Sequence, residues 1–387
     1  MDSIVIIGGG LCAANAVETL RDEGFTGPLT VVAAEPLLPY ERPPLSKDVL
    51  QGTAEFEVLH DAQWYAERDT RVITGQPATG LDLGGRTVTL ADGTELHYDK
   101  LLLTTGAEPC RLEIPGAQRA LVLRTRGDEQ VLHAQVAGGA RLVIIGGGWI
   151  ALEVAASARQ NGADVTVLVR GEAPLADVLG RQLSDHLVAL QRAHGVDVRT
   201  STTVTEITAT GVETSDGPLA ADVVLAAIGV APSTTLAEAA GLAVSDGVIT
   251  DSSLRTSDPH VWAAGDLALG LNTALGPLRV EHWDNAIRQG KLAARAMLGH
   301  DVTYDWQPYF FTDQFEFSME YVGHGSPSDS VEIRGDLDGN EFIAYWLGGA
   351  DGRTVTAGMN VGIWDVNDTL RAMIGTSVNP DELTDLR

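Results

Sequence analysis

One repeat constrains this chain more than any other feature: a strand that runs into a glycine loop and a helix occurs twice. Ser3-Ile4-Val5-Ile6-Ile7, β-branched and apolar on both faces, enters Gly8-Gly9-Gly10-Leu11-Cys12-Ala13. A helical stretch follows from Ala14 to about Glu23, and a second strand, Leu29 to Ala34, ends on Glu35. The plan returns at Arg141-Leu142-Val143-Ile144-Ile145, which enters Gly146-Gly147-Gly148-Trp149-Ile150-Ala151. A helix to about Gln160 and a strand Val165 to Val169 follow, the latter ending at Arg170. Strands apolar on both faces belong in parallel sheets covered on both sides.

The later parts of the two units repeat as well. Val88 to Leu96 reads as a β-hairpin turning on Asp92-Gly93, and a strand from Lys100 to Thr104 ends at Thr105-Gly106. Val212 to Leu219 turns on Asp216-Gly217, and the strand Val223 to Ala227 ends at Ile228-Gly229. From Pro308 the pattern changes. Phe310 to Val322 alternates loosely, and Ser330 to Ile363 holds three strand-like runs parted by Asp338-Gly339-Asn340 and Asp351-Gly352-Arg353. A short helix from about Val366 to Ile374 completes a third, antiparallel α+β region with no nucleotide fingerprint. The fold class is therefore α/β: two Rossmann-like dinucleotide-binding domains and a C-terminal α+β domain. At 387 residues the chain is long enough for that.

Each residue type in the loops has a reason. In Gly8-x-Gly10-x-x-Ala13 the first glycine permits the tight turn, the second lets backbone approach a pyrophosphate, and the small third residue lets helix pack on strand. The phosphate then sits on the helix N-terminus, where unpaired N–H groups and the dipole favour negative charge. Glu35 is placed to accept from a ribose hydroxyl. The second loop, Gly146-x-Gly148-x-x-Ala151, differs in its ending, because Val169 is followed by Arg170 and not by an acid. An arginine there accepts a 2′-phosphate, which favours NADPH slightly over NADH; the plainer alternative is a solvated loop residue beside Glu172. Two dinucleotide sites in one chain suit a tightly held flavin and an exchangeable nicotinamide, between which a hydride can pass.

Composition excludes several other functions. With 53 acidic and 26 basic residues the net charge is −27, which repels phosphate backbones and anionic lipid, so neither nucleic acid nor a membrane is an expected partner. No apolar run reaches the roughly 18 residues of a membrane span. Met1-Asp2-Ser3 shows no basic region or cleavage signal, so a cytoplasmic protein is expected. Two cysteines and scattered histidines exclude a disulfide framework and leave no metal-ligand spacing.

Pro39-Tyr40-Glu41-Arg42-Pro43-Pro44-Leu45-Ser46-Lys47 resembles a hallmark of the FAD-dependent ferredoxin, rubredoxin and putidaredoxin reductases, which share the glutathione-reductase-like fold. Further matches are Leu101 to Ala107, Leu123-Arg124-Thr125, Gly146 to Ala155, Ala227 to Pro232, Thr256 to Asp266, Glu281-His282-Trp283 and Asp313-Gln314. The resemblance implies a discontinuous FAD domain (residues 1–106 and 236–305), an NAD(P)H domain (107–235) and an interface domain (306–387). It also implies residue roles. Gly8, Gly10, Leu11, Cys12, Ala13, Glu35, Pro77, Thr105, Gly106, Glu281 and His282 would line the FAD site. Asp266 would hydrogen-bond the ribityl chain, Arg42 and Arg124 would contact FAD phosphate or ring edge, and Trp283 would pack near the flavin. Gly146, Gly148, Trp149, Ile150, Arg170 and Gly229 would line the NAD(P)H site. Lys47 would lie by the isoalloxazine, ion-paired with Glu153, whose carboxylate can meet the nicotinamide amide.

Disulfide reductases of this fold need a Cys-x4-Cys pair beside the flavin, and related peroxidases and oxidases need one cysteine. Arg42 to Lys47 has none, and the cysteines present, Cys12 and Cys110, lie elsewhere in the sequence. Cys12 sits at a helix N-terminus, a place that activates thiols, but reads better as a small packing residue. Electrons must then leave the flavin directly, which points to a 2Fe–2S ferredoxin, itself able to feed an oxygenase such as a cytochrome P450. The alternatives are a small acceptor such as a quinone or an ascorbyl-type radical, or a slow NAD(P)H-sensing flavoprotein like apoptosis-inducing factor. Family members often have tryptophan where this chain has Phe311, which bears on the partner. Ferredoxins are acidic, so docking on a chain of −27 requires a local basic patch. Arg288, Lys291 and Arg295 fall on one face of the helix expected from Asp284 to Leu298, the alternative being a solvated cationic face. Monomer and homodimer are both compatible with the sequence.

Overall fold

A computed structural model of the chain describes residues 2–387. The chain forms two compact units. The first takes residues up to Glu41, Phe56–Glu108 and Ala231–Trp306; the second takes Arg42–Glu55, Pro109–Val230 and Gln307–Arg387.

The first unit is built on a five-stranded parallel sheet in the order Val261–Ala263, Lys100–Leu103, Ile4–Ile7, Leu29–Val32, Thr70–Ile73. Ile4–Ile7 lies in the middle and pairs in register with Leu29–Val32 and Lys100–Leu103. Its alternate side chains feed two cores. Ile4 and Ile6 pack with Val31, Leu102 and the helices Leu11–Asp22 and Trp283–Leu298. Val5 and Ile7 pack with Leu101, Leu103 and the hairpin residues Val88 and Leu90. This is why the strand is apolar on both faces, each such side chain contributing about 1.5–3 kcal/mol when fully buried. The two helices approach closely where Gly290 meets the first of them: a Cβ there would lie 2.4 Å from the Cys12 carbonyl oxygen.

The second unit repeats the design with a four-stranded parallel sheet, Asp197–Arg199, Asp164–Leu168, Arg141–Ile145, Val223–Ala226. Leu142 and Ile144 enter one core, Val143 and Ile145 the other. A five-stranded antiparallel sheet follows in the order Tyr309–Gln314, Phe317–Gly323, Thr354–Val361, Glu341–Gly348, Ser330–Asp336. Its Phe317, Met319, Phe342, Ala344 and Trp346 share the core of Leu142 and Ile144, so the C-terminal region packs on the second nucleotide sheet.

Two features differ from the sequence reading. Phe310 to Val322 is a hairpin of two strands, because the chain turns at Phe315 with φ +54°. No glycine or asparagine signals that turn; the left-handed conformation costs about 1–2 kcal/mol for such a residue, and the Phe315 ring stacks on His194 at 3.9 Å. Residues 42–55, read from the sequence as part of the first nucleotide domain, pack in the second unit. Leu50 is fully buried in its core, and the Leu50 carbonyl accepts from Asn161 Nδ2 at 2.9 Å.

Candidate functional site

The three glycines of the first loop do different work. Gly8 has φ +126°, and a Cβ there would fall 2.1 Å from the Thr104 carbonyl oxygen of the neighbouring strand. A Cβ on Gly9 would lie 2.3 Å from that of Ala33. Gly10, by contrast, has extended backbone, and a Cβ would meet nothing within 4 Å. The helix it opens begins at Leu11 with no side-chain cap and no acid in its first turn. Cys12 and Ala13 are buried behind it. The loop thus presents open space in front of unpaired N–H groups, which fits a pyrophosphate.

The other sequence-identified residues of this unit lie on several of its elements. Glu35 accepts from the buried Tyr40 hydroxyl at 2.5 Å, and its carbonyl accepts from Gly75 N. Pro77 is exposed, its carbonyl taken by Ala91 N. Thr105 Oγ1 donates to Ser233 O at 3.0 Å, and Gly106 has φ +69°. Asp266 lies half-buried in the turn Gly265–Leu267, whose first N–H is held by Gln289 Oε1 at 2.8 Å. Glu281 pairs with Arg279. His282 is the N-cap residue of Trp283–Leu298, and the Trp283 indole N–H donates to Glu41 Oε1 at 3.0 Å. Burial, with a smaller contribution from Asp266, pushes the Cys12 thiol well above its ordinary range, so the helix N-terminus does not activate it.

The second loop matches the first. Gly146 has φ +133°, with a would-be Cβ 2.1 Å from Ala227 O; a Cβ on Gly147 would lie 2.9 Å from Val169 Cγ1; one on Gly148 would meet nothing within 4 Å. Helix Trp149–Gln160 likewise lacks a side-chain cap and a first-turn acid. Ile150 is exposed in that turn, and Gly229 (φ +103°) faces open space. Arg170 is exposed while Val169 is buried.

Within this unit Lys47 and Glu153 meet. Lys47 Nζ lies 2.8 Å from Glu153 Oε2, with the carboxylate 4% exposed. Ser46 Oγ donates to the same oxygen at 2.5 Å, and Thr312 Oγ1 donates to Oε1 at 2.6 Å. The short 3-10 turn Pro43–Ser46 with its C-cap Lys47, the helix Trp149–Gln160 and the strand Tyr309–Gln314 supply these groups, and Ser157 Oγ, donating to Ser46 O at 2.7 Å, pins the turn to the helix. A buried charge persists when it is paired and its lone pairs are filled, as here. The Lys47 ammonium also sits 5.6 Å from the centre of the Phe311 ring, within cation–π range. Trp149 packs on Phe310 at 5.2 Å. Arg42 donates through Nη1 to the Arg124 carbonyl, just before the helix Arg126–Val136, which Thr125 and Asp128 close with a capping box.

Sequence reasoning did not single out Tyr40, Gln289, Ser46 or Thr312 as site residues. Tyr40 and Ser46 stand inside the Pro39–Lys47 motif and Thr312 beside Asp313-Gln314, so the motif carried them without giving their roles; Gln289 has no local signal. The proposed basic patch is changed by its neighbours: Arg288 pairs with Asp284 at 2.8 Å and Arg295 with Glu23 at 2.9 Å. No helix among the described residues is long and apolar enough to cross a membrane.

Two glycine turns, each following an interior strand of a parallel sheet and backing an uncapped helix N-terminus, define a protein that handles two dinucleotides. A family profile described as pyridine nucleotide-disulphide oxidoreductase matches residues 2–290. The chain is 37% identical to rhodocoxin reductase of Rhodococcus erythropolis over 89% of its own length and 83% of the relative's. It is 35% identical to the ferredoxin–NAD(+) reductase component of the anthranilate 1,2-dioxygenase system of Burkholderia cepacia, covering 99% and 97%. The fold superposes on a chain of the covalent putidaredoxin reductase–putidaredoxin complex with a TM-score of 0.93 at 32% identity, covering 98% and 95%. The protein belongs to the pyridine nucleotide-disulphide oxidoreductase family, within its ferredoxin reductase branch.

Proposed function

We propose that this protein is an FAD-containing NAD(P)H:ferredoxin reductase, acting on a 2Fe–2S partner. The observation that carries the reading is the Lys47–Glu153 pair in a chain with no cysteine from Arg42 to Lys47. Thiol relay is thereby removed, so the acceptor must take electrons from the cofactor itself. The flavin, when bound, converts one hydride from the nicotinamide into two single-electron deliveries.

The residues divide the remaining work. Gly8, Gly10 and the helix from Leu11 hold the FAD pyrophosphate, with Glu35 on a ribose and Asp266 on the ribityl chain; Gly146, Gly148 and the helix from Trp149 hold the nicotinamide dinucleotide. Lys47 supplies positive charge for the reduced ring, and Glu153 accepts from the nicotinamide amide. These assignments fit an FAD domain of residues 1–106 and 236–305, apart from residues 42–55, which pack in the second unit, and an NAD(P)H domain of 107–235. Arg170, exposed and standing where an acid would select NADH, favours acceptance of a 2′-phosphate. The Burkholderia cepacia relative is named a ferredoxin–NAD(+) reductase component and the superposed chain comes from a complex with putidaredoxin, which supports the partner class. Cytoplasmic residence fits such a partner.

Steady-state oxidation of NADH and NADPH, coupled in parallel to an oxidised 2Fe–2S ferredoxin and to a quinone, tests the reading. Ferredoxin-dependent turnover faster than quinone turnover is expected; the reverse order moves the acceptor to the small-molecule class. Charge reversal at Arg288 and Arg295 locates the dock: ferredoxin turnover that is unchanged moves it off this helix.

A further inference from the structure

Beyond Ser46 and Lys47, Glu153 is reached by a chain of three side chains, each almost wholly buried: Thr312 (0% exposed), Gln314 (1%) and Gln191 (0%). Gln191 Nε2 donates to the Leu152 carbonyl at 3.1 Å and to Gln314 Oε1 at 3.0 Å. Gln314 Nε2 donates to Thr312 Oγ1 at 3.4 Å, and Thr312 Oγ1 donates to Glu153 Oε1 at 2.6 Å.

The direction of this chain is not free. A backbone carbonyl can only accept, so the nitrogen end of the Gln191 amide must face Leu152. That same nitrogen then faces Gln314, whose oxygen must turn toward it, leaving the Gln314 nitrogen toward Thr312. A threonine hydroxyl has one proton, and with a donor on one side it must give that proton to the carboxylate. The arrangement leaves Gln191 Oε1 buried with no protein partner. Buried polar atoms are rarely left in that state without a reason, and here the reason is polarity: turning the amide would satisfy neither the Leu152 carbonyl nor Gln314.

We propose that Thr312 is a positioning residue for Glu153, its hydroxyl forced by the Leu152–Gln191–Gln314 relay to donate to Oε1 and so to fix the plane of the carboxylate. The proposal rests on the reading of Glu153 as the group that meets the nicotinamide amide. Leu152 is the residue next to Glu153 on the same helix, so the relay starts and ends on one rigid element. The consequence falls on orientation more than on affinity, since the pyrophosphate grip lies at the glycine turn. Small misplacements of an orienting group cost rate steeply.

The test uses the flavin-loaded full chain. Thr312→Val is expected to lower the limiting rate of flavin reduction by NADH about ten-fold or more, with the Kd for NAD+ unchanged within about two-fold. Thr312→Ser, which keeps the donor, restores the rate. Gln191→Leu, which does not touch Glu153, loses part of it. Independently of activity, the infrared carboxylate stretch of Glu153, isolated by subtraction of Glu153→Gln, shifts in Thr312→Val and Gln191→Leu and not in Thr312→Ser. A wild-type rate with an unshifted band in Thr312→Val overturns the proposal, as does a Thr312→Ser that fails like valine, since volume and not the hydroxyl would then matter. Should the valine variant not hold flavin, Gln191→Leu decides by the same band. A Glu153→Gln protein that reduces as fast as wild type sinks the underlying role of Glu153 instead, and the infrared band separates that outcome from failure of the relay.

Discussion

Lys47 and Glu153 form a buried ion pair at 2.8 Å, with one carboxylate oxygen shared between the ammonium and the Ser46 hydroxyl. Removing either charge alone strands the other. We expect Lys47→Met or Glu153→Leu alone to destabilise the protein by about 3–5 kcal/mol, and the double substitution by less than the sum. Denaturant unfolding of the four proteins measures the coupling. Additive losses contradict a paired role.

The glycine turns separate folding from ligand binding. Gly146→Ala forces a Cβ to 2.1 Å from Ala227 O at φ +133° and should collapse stability. Gly148→Ala, with open space and extended backbone, should change stability by no more than about 1 kcal/mol while weakening nucleotide binding ten-fold or more, about 1.4 kcal/mol. Thermal melts beside calorimetric titration with NADH check both halves. Equal behaviour of the two variants contradicts the assignment.

Glu129 gives the protein a pH dependence. Burial raises its carboxyl above the ordinary glutamate range, against the opposing pull of Arg126 and His133. The folded state therefore keeps this proton to higher pH than the unfolded chain. The stability it contributes is present below the ordinary value and lost as pH rises through the raised one. The melting temperature of Glu129→Gln relative to wild type should climb as pH rises through that window. A difference that stays flat with pH contradicts it.

Cys12 should be chemically silent. It is 6% exposed, and burial pushes its thiol up, so an alkylating reagent should spare it in the folded protein and reach it after denaturation. Cys110 is only partly covered and is the thiol expected to react first. Peptide mapping of the labelled protein distinguishes the two. Rapid labelling of Cys12 in the native state would reopen a thiol relay.

What the sequence discloses and what it hides follow from the range of the forces involved. The glycine turns are local: a strand, a positive-φ residue and a helix start occupy neighbouring positions, so Gly8 and Gly146 are legible at sight. The two apolar faces of Ile4–Ile7 and Arg141–Ile145 are equally so, because burial on both sides leaves no polar alternation. The Lys47–Glu153 pair joins residues distant in sequence, and only the family motif suggested it. Phe315 turns a hairpin without turn chemistry, held by its stack on His194. The packing of residues 42–55 through Leu50, and the orientation of Thr312 by Gln191, depend on contacts that no window of sequence contains.

Anaerobic double-mixing stopped flow on the flavin-loaded protein follows both halves of the electron path in one experiment. The protein is first mixed with NADH or NADPH, then with an oxidised 2Fe–2S ferredoxin. Fast flavin bleaching is expected, faster with NADPH if Arg170 holds a 2′-phosphate, and then fast reoxidation by ferredoxin. A flavin that neither nucleotide bleaches would contradict the reductase reading outright, and bleaching without reoxidation would contradict the ferredoxin assignment.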